Sequence, residues 1–238
     1  MSTVNETMPV NAASLTGIGL FAGLGGDART AVARRCQGHR YRAGAQIVAH
    51  DSLEKNVYFI LGGTVRVTYF SAGGKEISFR DLEAGQMFGE IAAIDDGPRS
   101  AYVVAHTDAS LACMTQEGFL DLLQSEPPVA LAVMRHLTML VRRLSDRVIE
   151  FSTLGVKNRI HAELLRLAEA APSEGEARRL RPAPKHADIA SRVSTHREAV
   201  TRELAELARG GVLERREGAL MVIDLDRLRR MVVEVQEV

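Results

Sequence analysis

Hydrophobic spacing changes its period along the chain, and each change marks an element. Residues from about Phe21 to Cys36 follow a glycine-rich turn and read as a short helix, with Asp27 placed to cap its start. From Ile47 the texture becomes β-branched and aromatic. Val57-Tyr58-Phe59-Ile60-Leu61 and Thr64–Phe70 read as strands, and Gly62-Gly63 between them suits a hairpin turn. A second glycine pair, Gly73-Gly74, precedes another strand near Lys75–Leu82. Short strands punctuated by glycine run on to about Met114, the pattern of a compact antiparallel barrel or roll.

Beyond Pro127-Pro128 the period turns helical. Ala130, Met134, Leu137, Val141, Leu144, Val148 and Phe151 recur at alternating spacings of four and three, an a/d seam about three heptads long. Such a seam packs either on its own domain or on a second copy of the helix; its narrowness and regularity favour a parallel homodimer. Arg142, Arg143, Asp146 and Arg147 lie off it. Gly155 kinks or ends this helix, and a second apolar helix covers Ile160–Ala168. A polar loop, Pro172–Pro184, leads to two helices, about Lys185–Arg192 and Thr195–Arg209, joined by a tight turn at Val193-Ser194. Strands at Val212–Arg216 and Ala219–Ile223 then flank Glu217-Gly218. Helix, turn, helix, hairpin is the order of a winged helix-turn-helix.

Composition narrows the classes without choosing a function. Apolar residues make up 46% and charged residues 25% of the 238 positions, an ordinary globular balance with no run of membrane-spanning length. Met1–Ser14 lacks the basic start and apolar stretch of a secretory signal, so the expected location is the cytoplasm. Two cysteines, Cys36 and Cys113, form no Cys-x-x-Cys pair, and the seven histidines make no metal-binding spacing; no metal is expected. The 30 basic and 30 acidic residues cancel, so nucleic-acid binding must rest on local placement.

Two segments supply that placement. The first is Phe88-Gly89-Glu90-Ile91-Ala92-Ala93-Ile94-Asp95-Asp96-Gly97-Pro98-Arg99-Ser100-Ala101. Glu90 opens a short helix, and Arg99 follows a Gly-Pro turn in an apolar frame, where its guanidinium can take two phosphate oxygens at once. Glu90 can accept from a ribose hydroxyl and Ser100 can donate to phosphate. Spacing alone leaves a structural Glu90–Arg99 ion pair equally open. The segment resembles the phosphate-binding cassette of cyclic-nucleotide-binding domains. That resemblance assigns the sugar and phosphate to Gly89, Glu90 and Arg99, with Ser100 assisting and Ile91, Ala92 and Ala101 completing the site. It also brings Leu144-Ser145 of the long helix to the purine. Leu144 departs from the paired hydroxyl residues of the bacterial cyclic-AMP receptor type, which leaves cyclic AMP and cyclic GMP both open as the ligand.

The second segment runs from Ala187 to Leu204. Ile189, Val193, Val200 and Leu204 can form buried faces, while Arg197, Glu198 and Arg202 project from the start of the second helix. Arginine can grip guanine O6 and N7, and glutamate can accept from cytosine N4. Thr195, His196 and Thr201 are further candidate DNA contacts. The run Arg-Glu-x-Val-x-Arg resembles the recognition helix of the cyclic-AMP receptor and fumarate–nitrate regulator superfamily, with Ser194 where the turn often has glycine. The combined resemblance implies an α+β fold. A cyclic-nucleotide-binding β-roll (1–126) leads into a dimerisation helix (127–154) and a winged helix-turn-helix (155–238). It further implies a ligand-gated homodimeric regulator, not an enzyme, that binds a palindromic TGTGA-like double-stranded DNA site, with RNA polymerase as a partner. A regulatory subunit that binds cyclic nucleotide but not DNA, and a nucleotide-processing enzyme, are the competing classes; the helix-turn-helix opposes the first, and the lack of a nucleophile or metal cluster beside Arg99 opposes the second.

Overall fold

A computed structural model describes residues 6–70, 76–175 and 177–233. Gly73-Gly74 and the first residue of the strand expected at Lys75–Leu82 lie outside these. The chain divides into two compact units, 1–140 and 141–238.

The first unit is a β-roll of two antiparallel sheets. Its strands are β1 (Glu6–Met8), β2 (Cys36–Tyr41), β3 (Gln46–Val48), β4 (Val57–Gly62), β5 (Thr64–Phe70), β6 (Glu76–Glu83), β7 (Met87–Phe88), β8 (Tyr102–Ala105) and β9 (Ala109–Met114). One sheet has the order β1-β2-β9-β4-β7, the other β3-β8-β5-β6. Helices α1 (Gly26–Arg34), α2 (Glu90–Asp95) and α3 (Gln116–Ser125) accompany them. The apolar run of β4 is explained by burial on both faces. Val57 and Phe59 point into a core with Leu15, Phe21, Met114, Phe119 and Val133; Tyr58 and Ile60 point into a second core with Tyr41, Val65, Phe88, Val103 and Leu111. Full burial of each large side chain stabilises by about 1.5–3 kcal/mol, so both cores depend on β4, as they do on β9, which gives Met114 to the first and Leu111 to the second.

The structure corrects several expectations here. Gly62-Gly63 is not a hairpin turn: β4 and β5 belong to different sheets, and the glycines carry the chain from one to the other. Gly63 has φ +80°, and a Cβ on it would stand 2.1 Å from the Asp108 carbonyl, so glycine is needed for a backbone crossing. The first helix ends at Arg34, before Cys36, which opens β2. Its N-cap is Gly25, and Asp27 lies inside the first turn, where its charge favours the helix N-terminus. β2 was hidden by its polar residues: Gln37 and Arg40 face solvent while Gly38 and Tyr41 are buried.

Helix α4 spans Pro127–Thr153, with the prolines in its first turn. Met134, Val141, Leu144, Val148 and Phe151 of the expected seam are all exposed large apolar residues, as are Leu131, Met139 and Ile149. The second unit continues with α5 (Val156–Ala170), whose N-cap is Gly155, then β10 (Ser173–Glu174), β11 (Ala177–Leu180), α6 (His186–Arg192), α7 (Arg197–Arg209), β12 (Leu213–Arg216), β13 (Ala219–Val222) and α8 (Leu225–Val233). The segment read as a loop, Pro172–Pro184, therefore contributes two strands, and the wing is a sheet of order β10-β11-β13-β12. Glu217 and Gly218, both with positive φ, close the β12–β13 hairpin. Ile160, Leu164, Ile189, Val193, Val200, Leu204, Val222 and Leu228 fill a single core beneath helices and wing.

Candidate functional site

The glycine, acid and arginine of the first motif converge on one cleft of the first unit, lined by Gly89, Glu90, Ile91, Ala92, Arg99, Ser100 and Ala101. Helix α2 is short because both its ends are left-handed: Gly89 precedes it at φ +90° and Asp96 follows it at φ +60°. Asp96 pairs with Lys55 and accepts from Gln116 Nε2 at 3.1 Å, which fixes the end of the helix. Arg99 is anchored through its backbone to the loop after β3. Its N–H donates to Ser52 and its carbonyl accepts from Asp51, each at 3.0 Å.

The Arg99 side chain is 3% exposed. Its Nη1 donates to the Gly89 carbonyl at 3.0 Å and its Nη2 to the Asn56 carbonyl at 2.6 Å. Nε is buried and has no partner among the described residues. Burial pushes the guanidinium pKa below its ordinary value, while Tyr58, Glu54, Cys113 and Glu90 pull the other way. A buried guanidinium with an unmatched N–H, in a residue that lines a cleft, has the chemistry to receive an anion, since it has five donors and no acceptor. Glu90 is 2% exposed; its Oε1 lies 3.2 Å from His136 Nε2 on α4, and not in an ion pair with Arg99. Ser100 is exposed at the rim and Ala101 is buried.

Sequence reading missed several parts of this cleft. Val48, Val67 and Val103 form its apolar wall and Arg80 adds a second cation. They come from different strands, so no local spacing groups them. His136 was passed over on a helix read only for its seam. Leu144 and Ser145 lie on α4 in the second unit; both are exposed, and the Ser145 hydroxyl donates to the Val141 carbonyl at 3.0 Å.

In the second unit α7 presents Arg197, Glu198, Thr201 and Arg202 to solvent, with His196 as its exposed N-cap, while Val200, Glu203, Leu204 and Leu207 are buried. Thr195 departs from the other candidates: it is 7% exposed, and its N–H donates to the Ala190 carbonyl at 2.9 Å, closing the turn. Ser194 takes φ +53°, so the turn keeps the left-handed conformation without glycine. Polar contacts unseen in the sequence tie this pair of helices to α5. Glu203 of α7 meets His161 of α5 at 2.6 Å, both buried, and Glu163 of α5 accepts from Arg192 of α6 at 2.9 Å and from Arg166. Arg147 of α4 donates to the Arg192 carbonyl at 2.7 Å. The pairs His161–Glu203 and Glu163–Arg192 lie far apart along the chain, beyond the reach of any motif, whereas Arg166 sits one helical turn from Glu163.

Comparison with known proteins agrees with this division. Residues 38–126 match the family described as cyclic nucleotide-binding domain, and residues 158–231 the family described as Crp-like helix-turn-helix domain. A chain that joins these two domains is a transcription regulator with a cyclic-nucleotide-binding module, not an enzyme. It is 30% identical over 211 residues to the cyclic AMP receptor protein of Thermus thermophilus, covering 87% of this chain and 94% of that one. It is 25% identical over 213 residues to the CRP-like cAMP-activated global transcriptional regulator of Mycobacterium tuberculosis, covering 89% and 95%. A solved CooA mutant from Carboxydothermus hydrogenoformans shares the fold, with a TM-score of 0.77 at 19% identity over 95% of this chain and 98% of that one. The chain belongs to the cyclic-AMP receptor and fumarate–nitrate regulator family. Among the described residues no helix is long and apolar enough to cross a membrane.

Proposed function

We propose that the protein is a cytoplasmic homodimer that binds cyclic AMP in the β-roll and, in response, binds a two-fold symmetric, TGTGA-like DNA site. The observation that carries this reading is Arg99, a buried cation whose Nε has no partner among the described residues, beside Gly89 and Glu90 in an apolar-walled cleft. In it Arg99 neutralises the cyclic phosphate, Ser100 adds a donor, and Glu90 accepts from the ribose hydroxyl. Ile91, Ala92 and Ala101 frame the sugar, and Ser145 meets the base beside Leu144. The relatives named for cyclic AMP support that nucleotide. Leu144 supports the second reading, cyclic GMP, because an apolar residue there removes a polar partner expected for adenine.

The exposed apolar residues of α4 support a dimer through that helix. The dimer carries one reading helix per subunit, so half-sites centred about one helical turn, ~34 Å, apart follow. Arg197 and Arg202 read guanine, Glu198 reads cytosine, and His196 holds the DNA backbone, while Thr195, buried in the turn, and Thr201, whose hydroxyl proton goes to the Arg197 carbonyl, support the reading helix from within the protein. RNA polymerase is the partner on bound DNA. Ligand acts only by its different affinity for the two states of the dimer. Ser145 lies on the helix that ends just before Gly155, so its register across the dimer sets the spacing of the readers. Calorimetry with cyclic AMP and cyclic GMP tests the ligand. Cyclic AMP is expected to bind more tightly, with affinity lost in Arg99→Ala; equal affinity of wild type and Arg99→Ala for either nucleotide would refute the site.

A further inference from the structure

An imidazole bridges the reading helix and the wing by hydrogen bonds. His186 is the first residue of α6 and is partly buried. Its Nδ1 lies 2.7 Å from Thr201 Oγ1 on α7, and its Nε2 lies 2.7 Å from Arg215 Nη2 on β12. A guanidinium can only donate, so Nε2 must present a lone pair to Arg215. The Thr201 hydroxyl donates to the Arg197 carbonyl at 2.9 Å, so it accepts from Nδ1–H. The hydrogen-bond network therefore assigns the neutral Nδ1–H tautomer, in which both ring nitrogens are satisfied. A proton on Nε2 would replace the acceptor with a cation facing a cation.

We propose that neutral His186 is a positioning residue for DNA binding: it braces Arg215 of the wing against Thr201 of the reading helix, and its protonation releases that brace and weakens DNA binding. The charged groups that act on the ring are Arg215 of β12 and Arg197 of α7, both cationic. Burial first, then Arg215 and Arg197, lower the imidazole's pKa from its ordinary value of 6.5, so the brace is intact at neutral pH and is lost as pH falls below that value. The sign separates this role from simple electrostatics. An added positive charge beside DNA phosphates by itself tightens binding, whereas loss of the brace loosens it.

The test measures DNA affinity of the full chain by fluorescence anisotropy between pH 5.5 and 8, at fixed salt and fixed cyclic AMP, on a site selected for this protein. Wild-type affinity is expected to fall toward acid pH by up to about tenfold per pH unit. His186→Gln keeps an amide oxygen that can accept from Arg215 and does not titrate, so its profile is expected to be flatter. His196 is present in both proteins, so the difference between them isolates His186. His186→Leu is expected to bind weakly at every pH, with thermal melts reporting whether it folds. Wild-type affinity that rises toward acid pH, or an undiminished acid slope in His186→Gln, would overturn the proposal.

Discussion

Replacing Gly89 by alanine separates the geometry of the cleft from its composition. The backbone there has φ +90°, and a Cβ would stand 2.6 Å from Arg99 Nη1 and 2.7 Å from the Asn56 carbonyl oxygen. The left-handed conformation costs a non-glycine residue roughly 1–2 kcal/mol. Relief of the contact requires Arg99 to move, which breaks its bonds to the Gly89 and Asn56 carbonyls. Each buried group left unmatched costs about 1–3 kcal/mol. The expected destabilisation is therefore about 3–8 kcal/mol at one added methyl. Gly44→Ala is the matched control: Gly44 has φ +83° with nothing within 4 Å of its Cβ position, so it carries the conformational cost alone. Thermal unfolding should show Gly89→Ala losing several degrees more than Gly44→Ala, and calorimetry should show nucleotide binding lost only in Gly89→Ala. Equal melting shifts with binding retained would refute the idea that Gly89 sets the position of Arg99.

Glutamates at both Val141 and Leu144, exposed at 62% and 50% on α4, should split the dimer in sedimentation velocity, because each charge buried across the seam costs several kcal/mol, of order 3–5; unchanged sedimentation would mean the seam is not the interface. Glu90→Ala should weaken cyclic AMP and spare its 2′-deoxy analogue, with equal losses ruling out a sugar contact. Arg202→Ala should cost about 1–3 kcal/mol in DNA affinity and relax one position of the site, and a uniform loss at all positions would make it a backbone contact. Burial pushes the Cys36 thiol up to about 12 and the Cys113 thiol up to about 11, so both should resist maleimide at pH 8 in the native protein. Rapid stoichiometric labelling would show that the strands carrying them open readily.

What could be read from the sequence was whatever is local. The cassette, the long helix, the helix pair and the β12–β13 hairpin each sit within one short window, where period and turn chemistry suffice. Gly62-Gly63 failed because a glycine pair between two strands looks the same whether they pair or part; the clash that demands glycine comes from Asp108, over forty residues away. β2 and β10–β11 were missed because their exposed faces are polar and β10 is only two residues long. At the sites the charged groups of the motifs were legible. Their partners were not, since His136 meets Glu90, His161 meets Glu203 and Arg215 meets His186 only after folding.

The central claim is that nucleotide in the β-roll controls reading by α7. Selection of sites from random DNA, in the presence and absence of cyclic AMP, tests it most directly. The expected result is a palindromic consensus with half-sites one helical turn apart, enriched only or far more strongly with cyclic AMP. A non-palindromic consensus, or the same enrichment in both conditions, would contradict it.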